Sequence, residues 1–162
     1  LEEPPNFRTS AMGSAIHANS LALGGVDVRG MISLEMIGYF SDEPGSQSFP
    51  APGMSLLYSS RGDAIVVVGN SSSWWFTRRV KTRMAGASEL PVRSINAPAF
   101  VPGIDFSDHL NFWRRGWDAV MITDTAFYRN PNYHQVTDTP DTLDYERMAQ
   151  VVTGVYAAIT TL

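Results

Sequence analysis

The sequence predicts an α/β fold, a three-layer sandwich in which helices flank a mostly parallel or mixed central sheet. Residues 64–68 form an uninterrupted apolar run, rich in β-branched side chains, that Gly69 and Asn70 end. Such a run is typical of a strand covered on both faces. Segments with strand and helix patterns alternate along the chain, as α/β domains require. The 162 residues, 44% hydrophobic and 17% charged, are enough for one domain with a sizeable core.

The N-terminal half is predicted to contain one helix and two strands. Alanines and larger apolar residues recur at helical spacing between residues 10 and 23, and Gly24 ends this helix. Residues 28–37 have the composition of a strand. Residues 39–52 contain Asp, Gly, Ser and three prolines, which predict a long loop before the apolar run at 64–68.

The C-terminal half repeats the alternation of helix and strand. Serines at 71–73 predict the cap of a helix that ends at Gly86, and Ser107 with Asp108 predicts the cap of a second helix. Strands are expected at 91–95 and 118–123. A last helix begins at Asp141 or Asp144. Its predicted buried stripe comprises Met148, Val151, Val152, Val155, Tyr156 and Ile159. Trp74, Trp75 and Trp113 are also assigned to packing.

Composition excludes several classes of protein. The formal net charge is −4, and the only basic cluster, at residues 78–83, has the spacing of a solvated helix face, so nucleic acid is not expected as a partner. No apolar run is long enough for a membrane span. Because cysteine is absent, any metal must be held by histidine and carboxylate side chains.

Three carboxylates have positions that suggest chemistry. Glu35 lies near the carboxyl end of the predicted strand, in the stretch 32–37 that looks buried. An uncompensated charge would be costly there, so a nearby cation or metal is one interpretation. The alternative is an alternating strand whose Met31, Ser33 and Glu35 face meets water. Glu2 and Glu3 are adjacent, so one could ligate a metal while the other takes a proton from water. Most such pairs are solvated surface, and this one alone decides nothing.

The loop before the last helix contains the best candidate for an imidazole ligand. His134 lies among turn residues beyond the predicted strand 118–123, where a loop histidine can face a ligand. Tyr133 beside it could donate a hydrogen bond to an oxyanion. The alternative is a surface histidine in a turn. Asp108 could cap its helix and also support a site.

Taken together, the motifs resemble the latter part of the M28 family of zinc exopeptidases, nearly end to end. The matching segments, in chain order, are Glu2-Glu3, Met12-Gly13-Ser14, residues 30–38, Ser107-Asp108-His109, Phe112-Trp113, Tyr133-His134 and Asp138-Thr139. Each segment alone is weak, but their order and spacing are specific. Residues 122–145 resemble a bacterial subgroup, which implies a secreted or periplasmic protein.

The resemblance implies a dinuclear zinc site that hydrolyses the N-terminal bond of a peptide substrate. It implies that Glu2 is the general base and that Glu3 and His134 ligate one zinc ion. Glu35 would ligate the other ion, although many members have aspartate there. It further implies that Tyr133 steadies the tetrahedral intermediate and that Asp108 supports the ligands by hydrogen bonding.

The resemblance also implies that residues 1–162 are the C-terminal portion of one catalytic domain. The first histidine ligand and the bridging aspartate of the family lie upstream of the glutamate pair. We therefore expect this chain alone to bind zinc partially or not at all and to be inactive. Strand edges left by a missing part could lead to self-association.

Two other functions remain open. A glutaminyl-cyclase-like acyltransferase with a single zinc would also use Glu3 and His134. A non-catalytic, peptidase-like interaction module would have lost ligands, whereas Glu2, Glu3 and His134 are all present. The number of zinc ions and the product released would separate the three possibilities.

Overall fold

The computed structural model describes residues 4–162. Glu2 and Glu3 lie outside the described residues. The strands are β1 (Met31–Leu34), β2 (Ile65–Gly69), β3 (Val92–Asn96) and β4 (Ala119–Thr123). The helices are α1 (Gly13–Leu23), α2 (Trp74–Ala85), α3 (His109–Trp113) and α4 (Tyr145–Thr161). Every predicted helix and strand therefore has a counterpart, with shifted bounds.

The four strands form one mixed sheet in the order β1-β4-β2-β3. β1 runs parallel to β4, with Met31 opposite Ala119, and β2 runs parallel to β3. β4 is antiparallel to β2, with Thr123 opposite Val66. The carboxyl ends of β1 and β4 therefore lie at one edge of the sheet, next to the beginning of β2.

Helices cover both faces of the sheet, which confirms the predicted three layers. On one face, Phe76, Val80 and Met84 of α2 and Val151 and Val155 of α4 pack against the sheet. The strand side chains in this core are Ile65, Val67, Val120 and Ile122, each fully buried. On the other face α1 and α3 pack together, and Phe112 contacts Ala18 and Ala119.

The buried face of α4 is displaced from the predicted stripe. Val151 and Val155 are buried as expected, but Val152, Tyr156 and Ile159 are all more than half exposed. The contact with α2 involves Gly154 instead, where an added Cβ would lie 3.3 Å from the Cβ of Met84. Because small residues let two helices approach closely, the contact surface rotates toward Gly154 and Ala158.

The assignment of Trp74 and Trp75 to packing is also wrong. Their exposed fractions are 53% and 58%, and the two rings contact each other edge to face at 5.4 Å. Both lie in the first turn of α2. Trp113 does pack against the core, and its Nε1 donates to the Ala119 carbonyl at 2.8 Å. Within residues 4–162, no helix is both long and apolar enough to cross a membrane.

Candidate active site

A cavity of about 210 Å³ opens at the edge where β1 and β4 end. Its floor consists of apolar side chains of the sheet, namely Val66, Val68, Ile95 and Met121. Its walls contain seven aromatic residues, namely Phe7, Phe49, Tyr58, Phe106, Phe127, Tyr128 and Tyr133. The cavity therefore suits an apolar or aromatic group that enters from solvent.

Glu35 brings a carboxylate to this cavity. It is the first residue after β1, and its N–H donates to the Ile122 carbonyl at 3.0 Å. The side chain lines the cavity and is partly buried. Ser33 on the same strand is buried, and its hydroxyl is hydrogen-bonded to that of Ser107 at 2.8 Å. The alternative in which the face of Met31, Ser33 and Glu35 meets water is therefore wrong.

Tyr133 reaches the same cavity from the loop that follows β4. Its ring lines the wall and lies 5.7 Å from the ring of Phe127. His134 stacks on Tyr133, with the ring centroids 4.0 Å apart and the planes 15° apart. The imidazole is exposed, and His134 has φ of 57°, a left-handed conformation that is uncommon outside glycine. The structure thus brings Glu35 and Tyr133 to one cavity, with His134 stacked beside it.

Asp108 does not cap its helix as the sequence predicts. It occupies the N-cap position of α3 but makes no side-chain cap bond, with φ of −56° and ψ of −33°. A capping side chain needs an extended backbone at that position, whereas that of Asp108 is already helical. Its Oδ1 is buried and has no hydrogen-bond partner among residues 4–162. Asp108 does not line the cavity, although Ser107 does.

His109 lies beside Asp108 and is fully buried. Its Nε2 is 2.7 Å from the carbonyl oxygen of Ile104, and its ring contacts Trp113 edge to face. Burial lowers the pKa of His109 to about 4, in spite of the bond to Ile104. His109 is therefore a neutral core residue at physiological pH.

Asp124 links the two loops of the site, and no motif in the sequence pointed to this role. Its Oδ2 accepts the N–H groups of Gly38 and Tyr39 at 3.1 and 2.8 Å, and its Oδ1 accepts that of Ala126 at 3.0 Å. The N–H of Asp124 donates to the Met36 carbonyl at 2.7 Å. The segment that follows Glu35 is therefore fixed to the segment that leads to Tyr133.

Burial raises the pKa of Asp124 to about 6, although the three backbone N–H donors and Arg129 oppose the shift. Only 1% of the residue is exposed. The signal in the sequence was a carboxylate directly after a fully buried strand. The sequence did not show that two of its partners, Gly38 and Tyr39, lie more than 80 residues away.

Arg129 is a second residue that sequence reasoning missed. Its guanidinium donates to Gln47 Oε1 at 2.9 Å, to the Ala64 carbonyl at 2.8 Å and to the Tyr39 carbonyl at 3.2 Å. Burial lowers its pKa to about 10. Because these acceptors lie on three separate segments, Arg129 fixes the loop of residues 41–62 beside the cavity.

The donor atoms near the cavity are of the types that zinc prefers, but they are few. Zinc takes carboxylate oxygen and imidazole nitrogen, and Glu35 and His134 provide one of each. Among residues 4–162, no three His, Cys, Asp or Glu side chains are arranged to hold a metal ion. The predicted ligand set of Glu3, Glu35 and His134 stays a prediction, as does the role of Glu2, because both glutamates lie outside the described residues.

Several solved structures, aminopeptidases among them, share this fold. The LapA aminopeptidase of Legionella pneumophila matches with a TM-score of 0.64 at 17% identity, over 91% of this chain and 34% of LapA. LapB of the same species matches with a TM-score of 0.67 at 19% identity, over 91% of this chain and 35% of LapB. BSAP, a zinc aminopeptidase from Bacillus subtilis, matches with a TM-score of 0.60 at 21% identity, over 91% of this chain and 31% of BSAP. The mixed sheet and its flanking helices are thus the fold of these solved structures.

The chain belongs to peptidase family M28, whose family model matches residues 9–159. The YfbL protein of Escherichia coli K12 is 55% identical over 154 residues, which are 95% of this chain and 47% of YfbL. The chain therefore spans about half the length of this curated relative. These matches confirm the resemblance inferred from the motifs.

Proposed function

We propose that residues 1–162 are the C-terminal portion of the catalytic domain of a zinc-dependent aminopeptidase. The observation that carries the proposal is the convergence of Glu35 and Tyr133 on one apolar cavity, in a chain of family M28. The cavity receives the side chain of the substrate's N-terminal residue. In this proposal the carboxylate of Glu35 and the phenol of Tyr133 flank the reacting bond.

In this proposal Glu35 holds one zinc ion, while Glu3 and His134 hold the other. The upstream part of the protein supplies the remaining ligands, so residues 1–162 alone bind little zinc and are inactive. When bound, zinc supplies Lewis-acid polarisation of the scissile carbonyl.

The chain's own residues perform the remaining steps. Glu2 accepts a proton from the attacking water and passes it to the leaving amine. The Tyr133 hydroxyl donates a hydrogen bond to the oxygen of the scissile carbonyl as negative charge develops there. The buried, unpartnered Oδ1 of Asp108 accepts a hydrogen bond from a ligand in the upstream segment and so holds that ligand in place.

The exposed outer strands of the sheet are further candidates for contact with the upstream segment. β1 and β3 are the outer strands among those described, and Leu34 on β1 is 48% exposed. Edge strands pair readily with further chain. The upstream segment of the same protein covers one edge, and without it these edges favour self-association.

The proposal is tested with aminoacyl amides and the full-length protein. Chelation is expected to abolish release of the N-terminal residue, and zinc to restore it. Tyr133→Phe is expected to lower kcat/KM about a hundredfold, whereas Tyr156→Phe, a matched control on the exposed face of α4, leaves it unchanged. Glu35→Gln is compared with the exposed Glu43→Gln in the same way. Activity that survives chelation would overturn the proposal, and formation of pyroglutamate would indicate a cyclase.

A further inference from the structure

The segment before α1 contributes one wall of the cavity. Phe7 lines it and contacts Phe106 edge to face, with the centroids 6.2 Å apart. Phe106 in turn lies 6.0 Å from Phe127. Phe7 therefore extends a row of aromatic rings that encloses the apolar space above the sheet.

Arg8 holds this wall in place. Its guanidinium carbon lies 5.3 Å from the centroid of the Phe7 ring and 5.1 Å from that of Phe106. One nitrogen also donates to Oδ1 of Asp105, whose side chain is only 10% exposed. A guanidinium is suited to this position because its planar fork can pair with a carboxylate while its face meets aromatic rings.

The backbone at Arg8 indicates that these contacts decide the conformation. Arg8 has φ of 61°, a left-handed value that is disfavoured for a residue with a Cβ. Such a conformation persists when the surroundings determine it. The described surroundings are the ion pair with Asp105 and the two aromatic rings.

We propose that Phe7 determines side-chain specificity at the cavity and that Arg8, through Asp105, is the residue that positions it. The inference rests on the proposed function in one respect, since the cavity is taken to receive the substrate's N-terminal side chain. Phe7 narrows the space, which favours branched aliphatic groups such as leucine over the larger indole. Arg8 touches no reacting atom and acts by holding the Phe7 ring against Phe106.

The test measures binding as well as hydrolysis, in the full-length protein. Affinities for leucinamide and tryptophanamide are measured by calorimetry, and kcat/KM is measured for leucyl and tryptophyl amides. Phe7→Ala is expected to lower the leucine-to-tryptophan preference about tenfold in both measurements. Phe7→Leu, which keeps most of the volume, should change it less. The matched control is Phe100→Ala, because Phe100 is 85% exposed and does not line the cavity.

The positioning role makes a separate prediction. Arg8→Gln and Asp105→Asn should each shift the preference in the same direction as Phe7→Ala, and the double variant should shift it no further than either one. Arg8→Lys should restore part of the preference, and Arg78→Gln on the exposed face of α2 should leave it unchanged.

Two results would overturn the inference. One is an unchanged preference in Phe7→Ala and Phe7→Leu. The other is a set of Arg8 and Asp105 variants that lower all affinities equally, because that pattern would show loss of structure without a change in specificity. If the amides bind with the expected shifts but none is hydrolysed, the proposed function fails while the role of Phe7 stands.

Discussion

Replacing Asp124 with asparagine is predicted to change how the stability of the protein depends on pH. Burial raises the folded-state pKa of this carboxyl to about 6, from 3.8 for an unperturbed aspartate. The folded protein therefore binds the proton more tightly than the unfolded chain does. The stabilising contribution of Asp124 is complete below the unfolded pKa and is lost as the pH rises through the folded pKa.

The size of the effect follows from the shift. About two pKa units correspond to about 3 kcal/mol, since one unit is about 1.4 kcal/mol. Asparagine has nearly the same shape and does not titrate. The free energy of unfolding of the wild type, minus that of Asp124→Asn, should therefore fall by about 3 kcal/mol between pH 3 and pH 7.

Urea denaturation of the full-length protein at intervals across this range measures the difference. Asp27→Asn is the control, because Asp27 is exposed and the substitution removes the same charge. A difference between the wild type and Asp124→Asn that stays constant with pH would refute the reasoning, and so would one that increases with pH. A constant difference would mean that the backbone N–H donors and Arg129 balance the cost of burial, and an increasing one that they outweigh it.

Two further substitutions test the packing around the site. His109 has a folded pKa of about 4, against 6.5 for an unperturbed imidazole, so its stabilising contribution is present above pH 6.5 and is lost as the pH falls. The free energy of unfolding of the wild type, minus that of His109→Gln, should therefore fall by about 3 kcal/mol from pH 7 to pH 4. A difference that does not change with pH would contradict this. Gly69→Ala places a Cβ 1.9 Å from Thr77 Oγ1 and should lower the free energy of unfolding by about 3 kcal/mol. Gly86→Ala is the control, because the atom nearest to an added Cβ at Gly86 is 3.7 Å away. If both substitutions lowered the free energy of unfolding equally, the packing argument would be contradicted.

The sequence was sufficient for the elements of the fold because each has a local signal. The apolar run at 64–68 predicted β2, and glycine ended it because Thr77 of α2 leaves no room for a Cβ at Gly69. The orientation of α4 had no such signal. Its apolar residues cover more than one face, and the close contact at Gly154 selects which of them become buried.

Part of the candidate site was likewise predictable. Glu35 and Tyr133 follow β1 and β4, and parallel strands bring their carboxyl ends to one edge. Asp124 and Arg129 could not be predicted, because most of their partners become neighbours only in the folded chain. Examples are the N–H groups of Gly38 and Tyr39 for Asp124, and Gln47 Oε1 for Arg129. The ion pair of Arg8 with Asp105 joins residues 97 positions apart and has no local pattern either.

The central claim is that Glu35 is a zinc ligand in a peptidase site shared with Tyr133. Metal analysis of the full-length protein, purified with zinc and dialysed, tests it most directly. We expect two zinc ions per wild-type and Glu43→Gln chain, and one fewer in Glu35→Gln together with loss of hydrolysis. Full zinc content and full activity in Glu35→Gln would contradict it.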